Sequence, residues 1–342
     1  MLLHRKQANE DSRRLREAPA TSADKLVSAY DCAALLRIAL ITLFVWLIPQ
    51  RRWRALSEAL AGGMARLRRG RRAERIERVR AIAGDRDLAL PVERIPLLFT
   101  AAYYENLMLV LAHYRPWPVR LETRLAGGDQ IDRALARGRG VILWNGNLVF
   151  NSVVRPIILS QAGYRSHHLA RRTHGFSTTR VGMRFLNIIQ TAVEDRYLAE
   201  RILMGNNPLP AFVAMQRRLR QNEIVSLTAH EYGAQILEVP FGEGRLRIAT
   251  GAIELALLTG ATLLPAFTGR DEKGRFETRV LPPLQLPQYS DREAVCRDAA
   301  LQYVRRMETY VMAHPEQWVC WYRQARPAEA DDDHGIRRVP GL

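Results

Sequence analysis

The stretch Ala136–Asn151 reads ARGRGVILWNGNLVFN and runs on through Ser152–Tyr164 as SVVRPIILSQAGY. Val141–Trp144 is a compact apolar run closed off by Gly140 on one side and Asn145 on the other. A run that short, flanked by turn residues, is a strand buried on both faces. Before it, Gln130–Arg137 has helical spacing and is ended by Gly138 and Gly140; after it, Leu148–Gln161 has helical spacing interrupted by Pro156. Helix, buried strand and helix in succession predict an α/β fold.

The same alternation extends outward. Ile95–Ala112 carries a broad apolar stripe and predicts a helix. Strands are expected at Ser166–Ala170, Ile188–Val193, Glu223–Thr228, Thr262–Phe267 and Phe276–Leu281. Helices are expected at Arg180–Leu186, Glu194–Met204, Pro210–Arg220, Thr250–Leu258 and Arg292–Ala313. The pattern describes a single α/β domain over 91–326, with a mixed central sheet flanked by helices and no internal repeat. A polar tail, 327–342, follows it.

The region before position 91 has a different character. Residues 1–29 are polar and mixed in charge, too polar for a signal peptide. Residues 30–50 hold the most apolar stretch of the chain, Ala33–Ile48, interrupted only by Arg37 and Thr42. As a helix it rises about 24 Å, against roughly 30 Å of hydrocarbon in a bilayer. Residues 51–90 form an arginine-rich helical collar, with eleven arginines against three glutamates between Arg51 and Arg80. That segment holds half of the chain's net charge of +16. An apolar helix followed by a basic stretch predicts a membrane-anchoring helix on an anionic membrane surface; a buried core helix with a solvated arginine face is the alternative.

Composition excludes several classes. With 47% hydrophobic residues the chain builds a real core. Cys32, Cys296 and Cys320 have no C-x-x-C spacing, so neither a disulfide scaffold nor a zinc module is expected, and no metal or cofactor is implied. The arginines are not interleaved with aromatic residues and no nucleic-acid-binding motif is present, so no nucleic-acid partner is expected.

Five blocks in order resemble the lipid A late acyltransferases, the lauroyl/myristoyl acyltransferase family of the lysophospholipid acyltransferase superfamily. They are Ala136–Asn151, then His168-Leu-Ala-Arg-Arg172, and Glu223–Glu231 (EIVSLTAHE). Val239-Pro-Phe-Gly242 with Thr250-Gly-Ala252 follows, and last comes His314-Pro-Glu-Gln-Trp318. The resemblance implies transfer of a fatty acyl group from an acyl-carrier-protein or acyl-CoA thioester to a hydroxyl of a lipid or glycolipid. It also implies the cytoplasmic face of a bacterial inner membrane. The chemistry requires a base for the hydroxyl proton and a carboxylate to orient that base.

The family supplies both as H-x-x-x-x-D/E after the first strand. Here Asn147 stands at the histidine position and Ser152 at the carboxylate position, and none of the eight histidines has an acidic residue five positions on. Three readings follow: an acyltransferase with a relocated base, slow catalysis by positioning, or a catalytically inactive homologue that binds acyl lipid or a partner enzyme. His230, beside Glu231 after a predicted strand, is the candidate for a relocated base, and Asn147 retains a hydrogen-bond donor for an oxyanion. Arg171 and Arg172, with Arg155 as a weaker choice, are the expected cations for phosphate groups, since Arg172 aligns with the family's second-block arginine. In a chain this rich in arginine, exposed ion-pair partners are the alternative for all three.

Overall fold

The computed structural model describes residues 25–342 except 231, 232, 234, 288–290, 323, 324, 328–336 and 339–342. Most of the expected polar tail at each end therefore lies outside the described residues.

Among the described residues, four helices come first: α1 (Ala29–Leu47), α2 (Trp53–Leu67), α3 (Arg69–Ala83) and α4 (Ile95–Ala112). The central sheet follows, with β1 (Thr123–Ala126), α5 (Gly128–Leu135), β2 (Val141–Asn145), α6 (Val154–Gln161) and β3 (Ser166–Arg171). A single π-helical turn at Gly182–Leu186 leads into α7 (Asn187–Asp195), β4 (Glu200–Met204), α8 (Leu209–Arg220) and β5 (Ile224–Thr228). Next come the hairpin strands β6 (Gln235–Phe241) and β7 (Gly244–Ala249), then α9 (Gly251–Thr259), β8 (Thr262–Arg270), β9 (Phe276–Val280) and α10 (Arg292–Ala313). Ala325–Pro327 (β10) and Arg337–Arg338 (β11) flank the hairpin in a small second sheet.

The main sheet has seven strands in the order β1-β9-β8-β2-β5-β3-β4. Every pairing is parallel except β8 with β9, which makes it a mixed sheet as the sequence predicts. β2 is central and wholly buried. Successive side chains of a strand point to opposite faces. Accordingly Ile142 and Trp144 join the core beneath α8, α9 and α10, while Val141 and Leu143 pack with Ile131 of α5 and Leu159 of α6. Trp144 stacks on Tyr303 of α10 with ring centroids 4.0 Å apart, a contact worth about 1 kcal/mol beyond the area it buries.

Two expected elements are exchanged. Ile188–Val193, expected as a strand, lies inside α7; the second half of Glu194–Met204, expected as a helix, is strand β4. The buried face of α7 is Asn187, Gln190, Val193 and Glu194, while Ile188 is more than half exposed. Because the buried face is mostly polar, apolar periodicity misreads the helix. Strand β1 and the hairpin β6–β7 are additions to the sequence reading; Val239–Phe241 ends β6, and Gly242 makes its turn.

In α1, Asp31, Ala34, Ile38, Ile41 and Val45 form a buried stripe packed on α4. Its other side, including Leu35, Leu36, Leu40, Leu43 and Leu47, is exposed. Ser28 caps the helix and exchanges hydrogen bonds with Asp31 in a capping box. Arg37 lies over the ring of Tyr103 on α4, 5.9 Å from its centroid.

Candidate active site

The loop after β2 sits at the carboxyl edge of the sheet and is held by the C-terminal part of the chain. The amide of Val149 donates to the Gln317 carbonyl at 2.9 Å, and the amide of Val319 donates to the Asn147 carbonyl at 3.1 Å. Leu148 forms a β-bridge with the fully buried Trp318. Gln317 in turn ties this segment to β8, accepting from the Arg270 amide at 2.7 Å and donating to the Arg270 carbonyl at 3.2 Å. The HPEQW motif is therefore a clamp on the loop. His314 is the C-cap residue of α10 and leans on Tyr310, with its pKa lowered chiefly by burial.

Within the loop, the Asn147 side chain is half-buried and makes no hydrogen bond among the described residues. Ser152 is also half-buried, and its Oγ accepts from Gln190 Nε2 at 3.3 Å. Gln190, on α7, donates as well to Oε1 of Glu194 at 2.8 Å. Glu194 is 1% exposed and holds Nε2 of His174 at 2.9 and 3.1 Å and Arg201 at 2.7 Å. Burial pushes the Glu194 carboxyl up, but the neighbouring His174 and Arg201 outweigh it and hold the group below the ordinary glutamate value. It is an anion at neutral pH. His174 itself lies just past the carboxyl end of β3, with 29% of its side chain exposed.

Sequence reasoning misses this constellation of Ser152, Gln190, Glu194 and His174 in all but Ser152. The histidine and carboxylate stand twenty residues apart, on a loop and a helix, so no short spacing marks them. The one sequence signal is the polar i, i+4 pair Gln190 and Glu194 beside Asn187, which lines one face of α7.

The loop carrying His174 is fixed in place. Gly175 has φ +131°, and a Cβ there would come within 2.6 Å of the Asn187 side chain. Asn187 accepts from the Ser177 amide at 2.8 Å and donates to its carbonyl at 2.9 Å. Both Ser177 and Thr179 donate their hydroxyls to Asp31 of α1, Thr179 at 2.9 Å. The apolar helix and the His174 loop are thus one hydrogen-bonded unit.

Of the residues nominated from sequence, Asn147 and Ser152 lie on the loop at the sheet edge. His230 follows β5 and is half-buried; its carbonyl accepts from the Ala249 amide at 2.8 Å. Glu231 lies outside the described residues. Arg171 and Arg172 are exposed at the end of β3. Arg155 is 0% exposed, with Nη1 on Asn151 and Nη2 on His168, each at 3.2 Å. Burial lowers its pKa to about 10. A guanidinium enclosed in this way is part of the core beneath the loop and is out of reach of a substrate phosphate. Its neighbour His168 is neutral, its pKa driven well below the usual value by burial first and by Arg155 second.

Beyond Phe150, a cavity of about 490 Å³ opens between α2, α4 and the end of β8, lined by Arg54, Glu58, Glu105, Arg270, Asp271 and Glu316 among others. Its mixed charges suit polar groups better than an acyl chain.

The family described as bacterial lipid A biosynthesis acyltransferase matches residues 100–326. A phosphatidylinositol mannoside acyltransferase of Mycobacterium tuberculosis is 26% identical over 220 residues, an alignment that spans 63% of this chain and 63% of that protein. The match takes in β2 with its loop, the loop that bears His174, helix α7 and the HPEQW clamp. Because the family model matches most of its length, the chain belongs to the bacterial lipid A biosynthesis acyltransferase family.

Proposed function

We propose that this protein is a membrane-associated acyltransferase that moves a fatty acyl group from a thioester to a hydroxyl of a lipid or glycolipid. The observation that carries the reading is the union of an apolar helix with the site. The exposed leucines of α1 offer a face for lipid, and Asp31 on the opposite face bonds the loop beside the sheet edge. An acceptor embedded in a bilayer is then presented to the chemistry without leaving the lipid. The packing of α1 against α4 supports a helix lying in the membrane surface over one that crosses it. The arginines of α2 and α3 add attraction to anionic headgroups, about 1 kcal/mol per charge near the surface.

Acyl-carrier protein and acyl-CoA both present the thioester on a phosphopantetheine arm, and exposed Arg171 and Arg172 suit its phosphate. Asn147 is a donor for the oxyanion formed as the hydroxyl attacks. The cytoplasmic face of a bacterial inner membrane fits the reading, and three free cysteines suit a reducing compartment.

The purified protein, given acyl-carrier-protein or acyl-CoA thioester and vesicles containing a glycolipid acceptor, is expected to release free thiol and yield acylated lipid. Absence of both, across donors and acceptors, refutes the reading. The replacement of the family's dyad by Asn147 and Ser152 favours a second reading, an inactive homologue that binds acyl lipid or a partner enzyme. Acyl-lipid binding without turnover, with activity gained in Asn147→His, Ser152→Glu, supports that one.

A further inference from the structure

We propose that His174, oriented by Glu194, is the general base that replaces the missing dyad. The assignment rests on the acyltransferase reading above and deepens it.

Three observations converge. First, His174 Nε2 meets both oxygens of Glu194, at 2.9 and 3.1 Å. A neutral imidazole that donates from Nε2 to a carboxylate carries its lone pair on Nδ1. Nδ1 has no partner among the described residues, and the ring is partly exposed. Secondly, Glu194 is ionised, buried and held from its other side by Arg201 and Gln190, so it fixes the tautomer and stabilises the imidazolium when it forms. Thirdly, the pair is joined to the vacated dyad position. Gln190 spans from Glu194 to Ser152, the residue standing where the family places its carboxylate.

Other histidines are arranged differently. His167 hydrogen-bonds Glu200 through Nδ1 at 3.1 Å and has Glu223 3.1 Å from Nε2. His168 is enclosed against Ser226 and Arg155. His113 bonds the Leu109 carbonyl on α4, and His314 caps α10.

In the step itself, the acceptor hydroxyl gives its proton to His174 Nδ1 as its oxygen bonds to the thioester carbonyl carbon. The tetrahedral intermediate carries its negative charge on the former carbonyl oxygen. Its collapse re-forms the carbonyl and breaks the C–S bond, and the thiolate takes the proton from the imidazolium. Ester and free thiol are the products, and His174 returns to its starting state.

The test compares wild type, His174→Gln, His174→Ala and His230→Gln in thiol release with the full-length protein on glycolipid vesicles. His174→Gln is expected to lower kcat about 10²- to 10⁴-fold, with KM for the thioester, vesicle binding and Tm near wild type. Imidazole in the buffer is expected to restore part of the activity of His174→Ala. Full turnover by His174→Gln overturns the assignment, and so does loss confined to KM or loss in His174→Ala that imidazole leaves unchanged. Loss in His230→Gln beside full activity in His174→Gln moves the base to the loop after β5. A wild type that releases no thiol is the separate failure of the acyltransferase reading itself, and the assignment falls with it.

Discussion

Removing the Asp31 carboxylate tests the link between the apolar helix and the site. Asp31 is almost wholly buried and accepts from the Ser28 amide at 2.7 Å, the Ser28 hydroxyl at 3.0 Å, Ser177 and Thr179. The two bonds from Ser177 and Thr179 cross from one element to another, and each bond to a charged acceptor contributes about 1.5–3 kcal/mol. Loss of the capping box adds about 1 kcal/mol. Relief from burying a carboxylate, together with water entering the space, offsets part of the sum. Asp31→Ala is therefore expected to destabilise the protein by about 3–5 kcal/mol, and Asp31→Asn, which keeps one acceptor oxygen, by less. Denaturant unfolding measures the total. Hydrogen exchange locates it, because the Thr179 and Gly182 amides are bonded to the Ser177 and Thr179 hydroxyls at 3.1 Å. Both amides are expected to lose protection in Asp31→Ala. A loss under about 1 kcal/mol with unchanged exchange at these amides refutes the coupling.

Gly175→Ala is expected to cost roughly 2–4 kcal/mol and to lower activity by shifting His174, because φ is +131° and the new Cβ would collide with Asn187; an unchanged Tm and kcat would count against the rigid loop. Acid sensitivity is expected to begin with His168. Its folded pKa is depressed, so its contribution is fully present above the unfolded value of about 6.5 and is lost as pH falls toward the folded value, at up to about 1.4 kcal/mol per pH unit. Glu194 and Glu200 also lie below their ordinary values, the second because hydrogen bonds from His167 and Arg218 outweigh burial. Their contributions are lost below about pH 4.3. Unfolding free energy measured against pH should show both limbs, and His168→Gln should flatten the upper one. Finally, a water-soluble maleimide is expected to label exposed Cys32 on α1, while anionic vesicles shield it; Cys296, whose thiol is pushed up to about 12 by burial and Glu254, should stay unlabelled. Equal labelling of Cys32 with and without vesicles argues against lipid contact by α1.

The parts of the fold legible in the sequence are those where burial is apolar. Val141–Trp144 announces itself because both of its faces meet hydrophobic side chains. The order of β2, β3, β5, β8 and β9 follows from similar runs. Legibility fails at α7, whose inward face carries Asn187, Gln190 and Glu194 and whose Ile188 faces out. A helix that buries polar groups inverts the signal on which sequence reading depends. The same inversion hides the candidate base, since Glu194 reads as a surface residue until α7 is folded over the sheet edge. The positions Asn147 and Ser152 are legible from block order alone. What the sequence withholds is the chain of Gln190, Glu194 and His174 that reaches Ser152 across the fold, since no local spacing encodes a contact between a loop and a helix twenty residues apart.

The clamp formed by Gln317, Trp318 and Val319 on the loop after β2 has a consequence for the order in which the protein becomes competent. α1 leaves the ribosome early and, on the proposed reading, is then available to lipid. The loop that follows β2 lacks its bonds to Gln317, Trp318 and Val319 until the residues past α10 have been synthesised. At about 5–20 residues per second, the roughly 270 residues between α1 and the clamp take on the order of 15–55 s. On the proposed reading, attachment to the bilayer precedes assembly of the site, and a chain truncated before Gln317 keeps the apolar helix but loses the clamp on the loop after β2.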